Sequence, residues 1–175
     1  MWFAKPDVTN PSLSIDTSTG ANGSNRSLKY TAEKVDNTWG VDLSYPLQGV
    51  NPGKYELSFY AKTNQTESPF ITSITLCENN EDIAKEAKFQ KAIVLQNGVQ
   101  TIESGVNDIW GTVINQAGKE WKKYAVTVDI PTNVLVKFVF KLCAGANNQL
   151  TGYNATATDN VIYWFDDVSL KLVTE

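Results

Sequence analysis

The amino-acid sequence predicts an all-β fold, a β-sandwich jelly roll of antiparallel strands, in a single domain over residues 1–175. Three observations support this prediction. Several short runs alternate between apolar and polar residues, which is the period of a half-buried strand. Glycine, proline and asparagine separate these runs. The 3.6-residue spacing of apolar residues that is typical of amphipathic helices is nearly absent.

The clearest strand covers residues 54–63. In it, Leu57 and Phe59 alternate with Glu56 and Tyr60, and the preceding Pro52-Gly53 is a turn signal. The predicted strands, in chain order, are Ser27–Glu33, Trp39–Tyr45, Lys54–Thr63, Phe70–Glu78, Lys123–Ile130, Val134–Cys143 and Val161–Val173. Residues 79–118 form a long mixed segment, and such segments are usually functional or carry small elements of their own.

The composition excludes several kinds of site. The chain has no histidine, so it has no Ser-His-Asp triad, no Cys-His pair and no histidine-ligated metal. The net charge of -4 argues against nucleic acid. No run of 18 apolar residues predicts a membrane span, and the first residues do not have the pattern of a signal peptide. Cys77 and Cys143 lie on the same non-core face of their strands, where either a disulfide or two free thiols would be possible.

Five motifs in order carry a resemblance that spans nearly the whole chain. They are S-L-K-Y-T (27–31), W-G-V-D (39–42), P-G-K-Y-E-L-S-F-Y-A-K (52–62), E-W-K-K-Y (120–124) and Y-W-F-D-D-V-S-L (163–170). This pattern resembles the carbohydrate-binding modules of family 4 and their relatives in families 9, 16 and 22. The sequence departs from that pattern in the opening Asn10–Ser14, which lacks the usual glutamate, and in the length of residues 79–118.

The resemblance implies a non-catalytic module that holds a β-linked polysaccharide, xylan first and β-glucan next, in a concave cleft. Such modules are usually parts of glycoside hydrolases, such as endo-xylanases, so the resemblance implies a secreted or cell-surface protein and a monomeric module. The charge and composition, rather than the resemblance, predict no nucleic-acid partner and no membrane insertion. A ligand-free spacer in a surface protein is the main alternative. A small hydrolase or lyase that uses Asp42 and Glu56 on one face is the second.

Sugar rings stack on exposed aromatic side chains, and their hydroxyl groups bond to polar ones. Trp39 and Asp42 match positions that relatives use for stacking and for hydroxyl bonding, and Lys141 falls near another such position. Core packing is the alternative for Trp39. Tyr60 and Glu56 alternate with core residues, so we expect them on the concave face, with a solvent-facing strand as the alternative.

The loops supply further candidates. Trp110 and Asn107 lie in the long mixed segment, and Tyr153 lies in a later Gly-Asn-rich stretch. Trp121 and Trp164 belong to the motifs of the resemblance, and we expect them to pack against the protein rather than to bind sugar.

The resemblance also implies a structural Ca²⁺ ion between the N-terminal strand and the last strand. Calcium takes six to eight oxygen ligands. The matching residues are Asp166, Ser14, Gly23 and Arg26, and Asp16 would replace the missing glutamate. Asp167 follows Asp166 on a strand, so the two carboxylates are expected on opposite faces and only one would join the site. A charged strand end without an ion is the alternative.

Overall fold

The computed structural model describes residues 3–6, 12–32, 41–66, 68–77, 91–96, 99–104, 115–130, 134–142 and 161–174. These residues form two antiparallel sheets and contain no helix. The strands are β1 (Phe3–Pro6), β2 (Ser12–Asp16), β3 (Ser27–Ala32), β4 (Val41–Val50), β5 (Gly53–Thr63), β6 (Ser68–Cys77), β7 (Lys91–Gln96), β8 (Val99–Ser104), β9 (Asn115–Ala117), β10 (Lys122–Ile130), β11 (Val134–Leu142) and β12 (Val161–Leu172). The all-β sandwich predicted from the sequence is confirmed, whereas its extent as one domain over residues 1–175 stays a prediction.

The strands divide into a seven-stranded and a five-stranded sheet. The seven-stranded sheet has the order β1-β4-β11-β6-β7-β8, and β9 also pairs with β6. The five-stranded sheet has the order β10-β5-β12-β3-β2. Consecutive strands β4 and β5 therefore belong to different sheets, although only a short turn separates them in the sequence.

The core lies between the two sheets and is largely aromatic. Its buried residues include Tyr30, Phe59, Tyr163 and Phe165 from the five-stranded sheet and Phe70 from the seven-stranded sheet. The ring of Phe70 meets the rings of Phe59, Tyr163 and Phe165 at centroid distances of 6.0, 6.4 and 5.8 Å. Edge-to-face pairs of this kind contribute about 0.5–1.5 kcal/mol each beyond their buried area. One phenylalanine of the seven-stranded sheet is thus surrounded by the aromatic side chains of the other sheet.

A polar contact also joins the two sheets inside the core. The hydroxyl groups of Ser68 on β6 and Tyr163 on β12 lie 2.7 Å apart, and both residues are buried. Near it, the side chain of Thr63 donates to the carbonyl oxygen of Ala117 at 3.3 Å. These bonds satisfy hydroxyl groups that would otherwise cost free energy when buried.

The β7–β8 hairpin is an element that the sequence analysis did not predict. Gln96 is the Cα partner of Val99, so the connection has the two residues Asn97 and Gly98. Asn-Gly beside an apolar run such as Ala92–Leu95 is the strongest short-range hairpin signal. The signal was therefore present inside the segment 79–118.

None of the described residues forms a helix with the length and hydrophobicity needed to cross a membrane.

Candidate functional site

The predicted sugar-binding residues do not form one cleft. Tyr60 and Glu56 lie on β5 of the five-stranded sheet, while Asp42 and Lys141 lie on β4 and β11 of the seven-stranded sheet. On β5, the buried residues Leu57 and Phe59 face the core, so Glu56 and Tyr60 alternate to the outer face. The prediction of a single cleft that contains all four residues is wrong, because alternation assigns a residue to a face but does not say which strands share a sheet.

On the seven-stranded sheet, two of the predicted residues come together. Asp42 is the Cα partner of Lys141 on β11 and of Lys5 on β1. Leu43, the next residue, is fully buried, so the alternation of β4 assigns the Asp42 position to the outer face. We call Lys5, Asp42 and Lys141 the outer row. It places one acidic position between two basic positions on three neighbouring strands.

The other predicted ligand-binding residues, Trp39, Trp110, Asn107 and Tyr153, lie outside the described residues. Trp39 precedes by two residues the start of β4 at Val41, the strand that carries Asp42. These four assignments stay predictions.

The separation of the sheets also affects the catalytic alternative. That alternative needed Asp42 and Glu56 on one face, but the two residues belong to different sheets. A glycosidase needs its two carboxylates roughly 5–10 Å apart across one cleft. The expectation that this pair shares a face is wrong.

The outer face of the five-stranded sheet carries two tryptophans and a lysine between them. The Lys62 ammonium lies 5.1 Å from the ring centroid of Trp121 and 5.0 Å from that of Trp164. The Lys29 ammonium lies 5.8 Å from the Trp164 ring on the other side. Such cation–π contacts contribute about 0.5–1 kcal/mol at exposed sites. Lysines therefore cover the rings of two half-buried tryptophans.

The loop of residues 17–26, which joins β2 to β3, covers this cluster and is hydrogen-bonded to it. The Thr19 hydroxyl oxygen accepts hydrogen bonds from Lys62 Nζ at 2.8 Å and from Trp121 Nε1 at 3.3 Å. Trp164 Nε1 donates to Asp16 Oδ2 at 2.9 Å. Both indole groups thus bond to the segment that begins at Asp16, in line with the expectation that these tryptophans pack against the protein.

Asp16 anchors the start of the same loop. Its Oδ1 accepts hydrogen bonds from the Ser18 hydroxyl at 2.6 Å and from the Ser18 backbone N–H at 2.9 Å. The Ser18 hydroxyl bond, the Trp164 indole bond and the Ser18 backbone bond together lower the pKa of Asp16 from 3.8 to about 2, and the nearby Lys29 charge adds to this. Three donors therefore hold this carboxylate in its charged form.

Asp166 and Asp167 both accept hydrogen bonds from this loop, although simple alternation along β12 predicts opposite faces for them. That only one of them would join a metal site stays a prediction. Asp166 Oδ2 accepts from the Ala21 N–H at 2.8 Å, and Asp167 Oδ2 accepts from Asn22 Nδ2 at 3.0 Å. The reason is a β-bulge in β12, where the register with β5 shifts between Asp166 and Ser169 and Asp167 has φ of 49°. A bulge inserts an extra residue and so breaks the simple alternation of faces.

The residues predicted to hold calcium are arranged differently from an oxygen cage. Asp166 accepts N–H donors, and the Asp16 carboxylate is engaged by Ser18 and Trp164. Gly23 lies in an exposed turn with φ of 82°, and Ser14 is the Cα partner of Lys29. Within the described ranges, no group of three or more acidic, cysteine or histidine side chains could hold a metal ion. Of the predicted ligands, Arg26 and Asp166 line one open cavity of about 360 Å³. Calcium binding at Asp166, Ser14, Gly23, Arg26 and Asp16 stays a prediction.

A polar cavity of about 460 Å³ opens on the outer face of the five-stranded sheet, beside the bulge. Tyr60 and Ser58 of β5 line it together with Lys123 of β10 and Ser169 and Lys171 of β12. Only Tyr60 of these was predicted to bind a ligand. The alternation that assigns Leu57 and Tyr124 to the core assigns Ser58 and Lys123 outward, and this was the available signal for them.

The register of β6 and β11 bears on the two cysteines. Cys77 is the Cα partner of Leu135, whereas Leu142 is the partner of Phe70 at the other end of the pair. Cys143 lies outside the described residues but follows Leu142 directly. Phe70 and Cys77 are about 23 Å apart, because a strand rises about 3.3 Å per residue. The register therefore places Leu142 at the opposite end of the strand pair from Cys77. Cys143 itself is outside the described residues, so the choice between a disulfide and two free thiols stays open.

Comparison with known proteins gives a fold. No protein-family model matches the chain, and no curated protein matches its sequence. Among solved structures, a family 4 carbohydrate-binding module matches with a TM-score of 0.54 and 16% identity, over 98% of this chain and 86% of that chain. The CBM22-1 xylan-binding domain of Paenibacillus barcinonensis Xyn10C matches with a TM-score of 0.57 and 13% identity, over 99% of this chain and 86% of that one.

The tandem CBM22-1-CBM22-2 domain of the same Paenibacillus barcinonensis protein matches with a TM-score of 0.61 and 16% identity, over 99% of this chain and 45% of that chain. At these identities the likeness concerns the fold. The resemblance inferred from the sequence motifs is thus confirmed by structure: the chain has the β-sandwich fold of the carbohydrate-binding modules of families 4 and 22.

Proposed function

We propose that this chain binds a neutral β-linked glycan without cleaving it, on the outer face of the seven-stranded sheet around Asp42 and Lys141. The observation that carries the proposal is the register pair of Asp42 and Lys141, in a fold shared with carbohydrate-binding modules. Asp42 matches, and Lys141 falls near, a hydroxyl-bonding position of the sequence resemblance, which does not depend on the pairing of their strands.

The chemistry of the outer row suits sugar hydroxyl groups. A carboxylate accepts hydrogen bonds and an ammonium group donates them, so adjacent acidic and basic positions can bond to both sides of a hydroxyl. Trp39, two residues before β4, is the proposed stacking platform for a sugar ring. Xylan is the preferred ligand and β-glucan the next, because the matched Paenibacillus domain is a xylan-binding domain. The biological role is to keep an attached glycoside hydrolase near its substrate outside the cell.

Calorimetric titration with xylohexaose and cellohexaose tests the proposal. We expect binding of one of them, about tenfold weaker in Asp42→Ala and in Lys141→Ala, since each variant removes one hydrogen-bonding partner. Trp39→Ala should abolish binding. A change on addition of EDTA would support the calcium site.

Matched controls lie on the other sheet. Glu56→Ala removes an exposed carboxylate and Lys54→Ala an exposed ammonium group from β5, and both variants should bind like the unmodified chain. Loss of binding in Glu56→Ala but not in Asp42→Ala would show that the site lies on the five-stranded sheet and that the proposed location is wrong. Absence of heat with both hexasaccharides, or release of reducing sugar from either, would contradict the proposal.

A further inference from the structure

One residue that lines the cavity on the outer face of the five-stranded sheet is almost fully buried. Ser58 lies there with only 8% of its surface exposed, and it lines the cavity. Within the described part of the chain its hydroxyl group makes no hydrogen bond. The Ser58 hydroxyl oxygen is not among the fully enclosed side-chain atoms, so it is open to the cavity and a ligand atom can bond to it in place of water.

Two lysines flank this hydroxyl group from opposite sides. Ser58 is the Cα partner of Ala125 on β10 and of Ser169 on β12. Lys123 of β10 is the Cα partner of Tyr60, and Lys171 of β12 is the Cα partner of Glu56. The two lysines therefore lie two residues from the level of Ser58, in opposite directions along the strands. Both lysines line the cavity, and among the described residues neither forms an ion pair or a hydrogen bond. Both side chains are long and exposed, so their ammonium groups can reach toward Ser58 from two sides, and we call this arrangement the cradle; such groups can bind one anion between them.

The acidic groups nearby leave this cradle positively charged. Asp167 also lines the cavity, but its Oδ2 accepts a hydrogen bond from Asn22 Nδ2 at 3.0 Å. Glu56 is the Cα partner of Lys171, yet the two exposed side chains form no ion pair. The lining therefore contributes two positive charges and one negative charge, in a chain whose net charge is -4.

The size and the aromatic wall of the cavity indicate more than a simple ion. Its volume of about 460 Å³ falls within the range of small-molecule sites, about 300–1,000 Å³. Tyr60 forms a half-buried aromatic wall, and Ser169 adds a second hydroxyl group. A ring with apolar C–H faces, several hydroxyl groups and one carboxylate matches these features.

From this geometry we propose that the cavity binds a uronic acid unit of an acidic glycan, with its carboxylate between Lys123 and Lys171 above Ser58. This inference rests on the proposed glycan binding and adds a second site with a different ligand class. The two sites lie on opposite outer faces of the sandwich. A glucuronate branch and the backbone sugar that carries it therefore cannot occupy both sites at once, and the cavity would bind the acidic unit independently of the outer row.

Two trisaccharide-based probes that differ by one group test the proposal. The full chain is titrated by calorimetry with xylotriose that carries a single glucuronate branch and, in a separate experiment, with plain xylotriose. We expect the branched sugar to bind about tenfold more tightly, and the preference to fall about tenfold in Lys171→Gln and in Lys123→Gln. Lys119→Gln, which neutralises an exposed lysine in the segment between β9 and β10, is the matched control and should keep the preference.

The outcomes separate this inference from the proposed function. Equal affinity for the two probes, or a preference that survives in both cavity lysine variants, overturns the uronate site and leaves the neutral-glycan site standing. Competition by inorganic phosphate at the same concentration would identify a general anion site and overturn the sugar assignment. Conversely, failure of xylohexaose to bind, together with a lysine-dependent preference for the glucuronate probe, would support the cavity and contradict the outer row.

Discussion

The two sheets share one aromatic core, to which the five-stranded sheet contributes most of the described buried rings, and their outer faces differ. On the five-stranded sheet, the segment 16–26 lies over Trp121 and Trp164 and bonds to both indole groups, and a polar cavity remains beside it. On the seven-stranded sheet, the outer row brings Lys5, Asp42 and Lys141 together on neighbouring strands. Aromatic side chains on an outer face are therefore not by themselves a sugar-binding surface, because the chain can use them to hold one of its own loops.

Residues of similar type on the outer face of the five-stranded sheet have different contacts. Trp164 and Lys62 are a tryptophan and a lysine on an outer face, the types that would suit a sugar, yet they contact each other and the segment 16–26. The Tyr60 side chain, on the same sheet, lines an open cavity instead. What distinguishes them is the course of residues 17–26.

The largest expected effect concerns what the two sheets share. Phe70→Ala should lower the free energy of unfolding by about 3–5 kcal/mol, because it removes the ring that the aromatic side chains of the five-stranded sheet surround. Urea unfolding measures this change. Ile15→Ala is the control, since Ile15 is 57% exposed at the edge of the other sheet and should cost far less. A loss below about 1 kcal/mol for Phe70→Ala would mean that the sheets do not pack on this ring.

The sequence predicts which face of a strand a residue occupies, but it does not predict which strands pair in one sheet. Alternation correctly assigned Leu57 and Phe59 of β5 to the core, because a strand has a period of two residues. It could not assign β4 and β5 to different sheets, since pairing is decided by partners distant in the chain. The predicted cleft that joined Asp42 to Tyr60 therefore divided between two faces.

The bulge at Asp167 marks a second limit. Its φ of 49° and the shift in register before Ser169 bring two adjacent aspartates to one loop. Asn22, which bonds to Asp167, also has a positive φ of 49°. Single asparagine and aspartate residues adopt this conformation more readily than other residues, but sequence alone does not say which of many will do so.

A smaller loss of stability is expected from a substitution in the loop of residues 17–26, and it tests whether this loop shields the tryptophans on the outer face of the five-stranded sheet. In Gly20→Ala, the added methyl group would lie 2.6 Å from the carbonyl oxygen of Arg26 and 2.6 Å from the Ser24 hydroxyl oxygen, so the loop must shift. We expect a loss of about 1–3 kcal/mol and stronger quenching of tryptophan fluorescence by acrylamide as the indole groups lose their cover.

The control for this loop is Gly23→Ala. A methyl group there meets nothing within 4 Å, although the φ of 82° is unfavourable for alanine. It should cost about 1 kcal/mol and leave the quenching unchanged. Equal quenching in the two variants would show that the loop does not shield Trp121 and Trp164.

The smallest expected effect is a pH dependence of the chain's stability that comes from Asp16 on the five-stranded sheet. The pKa of Asp16 is lowered to about 2 in the folded chain from an ordinary value of 3.8. The stabilisation by its charged form is therefore fully present above about pH 4 and is lost as the pH falls toward 2. Asp16→Asn keeps the shape but cannot accept the full set of Ser18 and Trp164 donors. Melting temperatures measured from pH 6 to pH 2 should show the unmodified chain above the variant at the upper end and the two curves converging at the lower end. Curves that stay parallel over this range would mean that Asp16 does not fasten the loop through its charge, and the cover over the tryptophans would then depend on Thr19 and Lys62 alone.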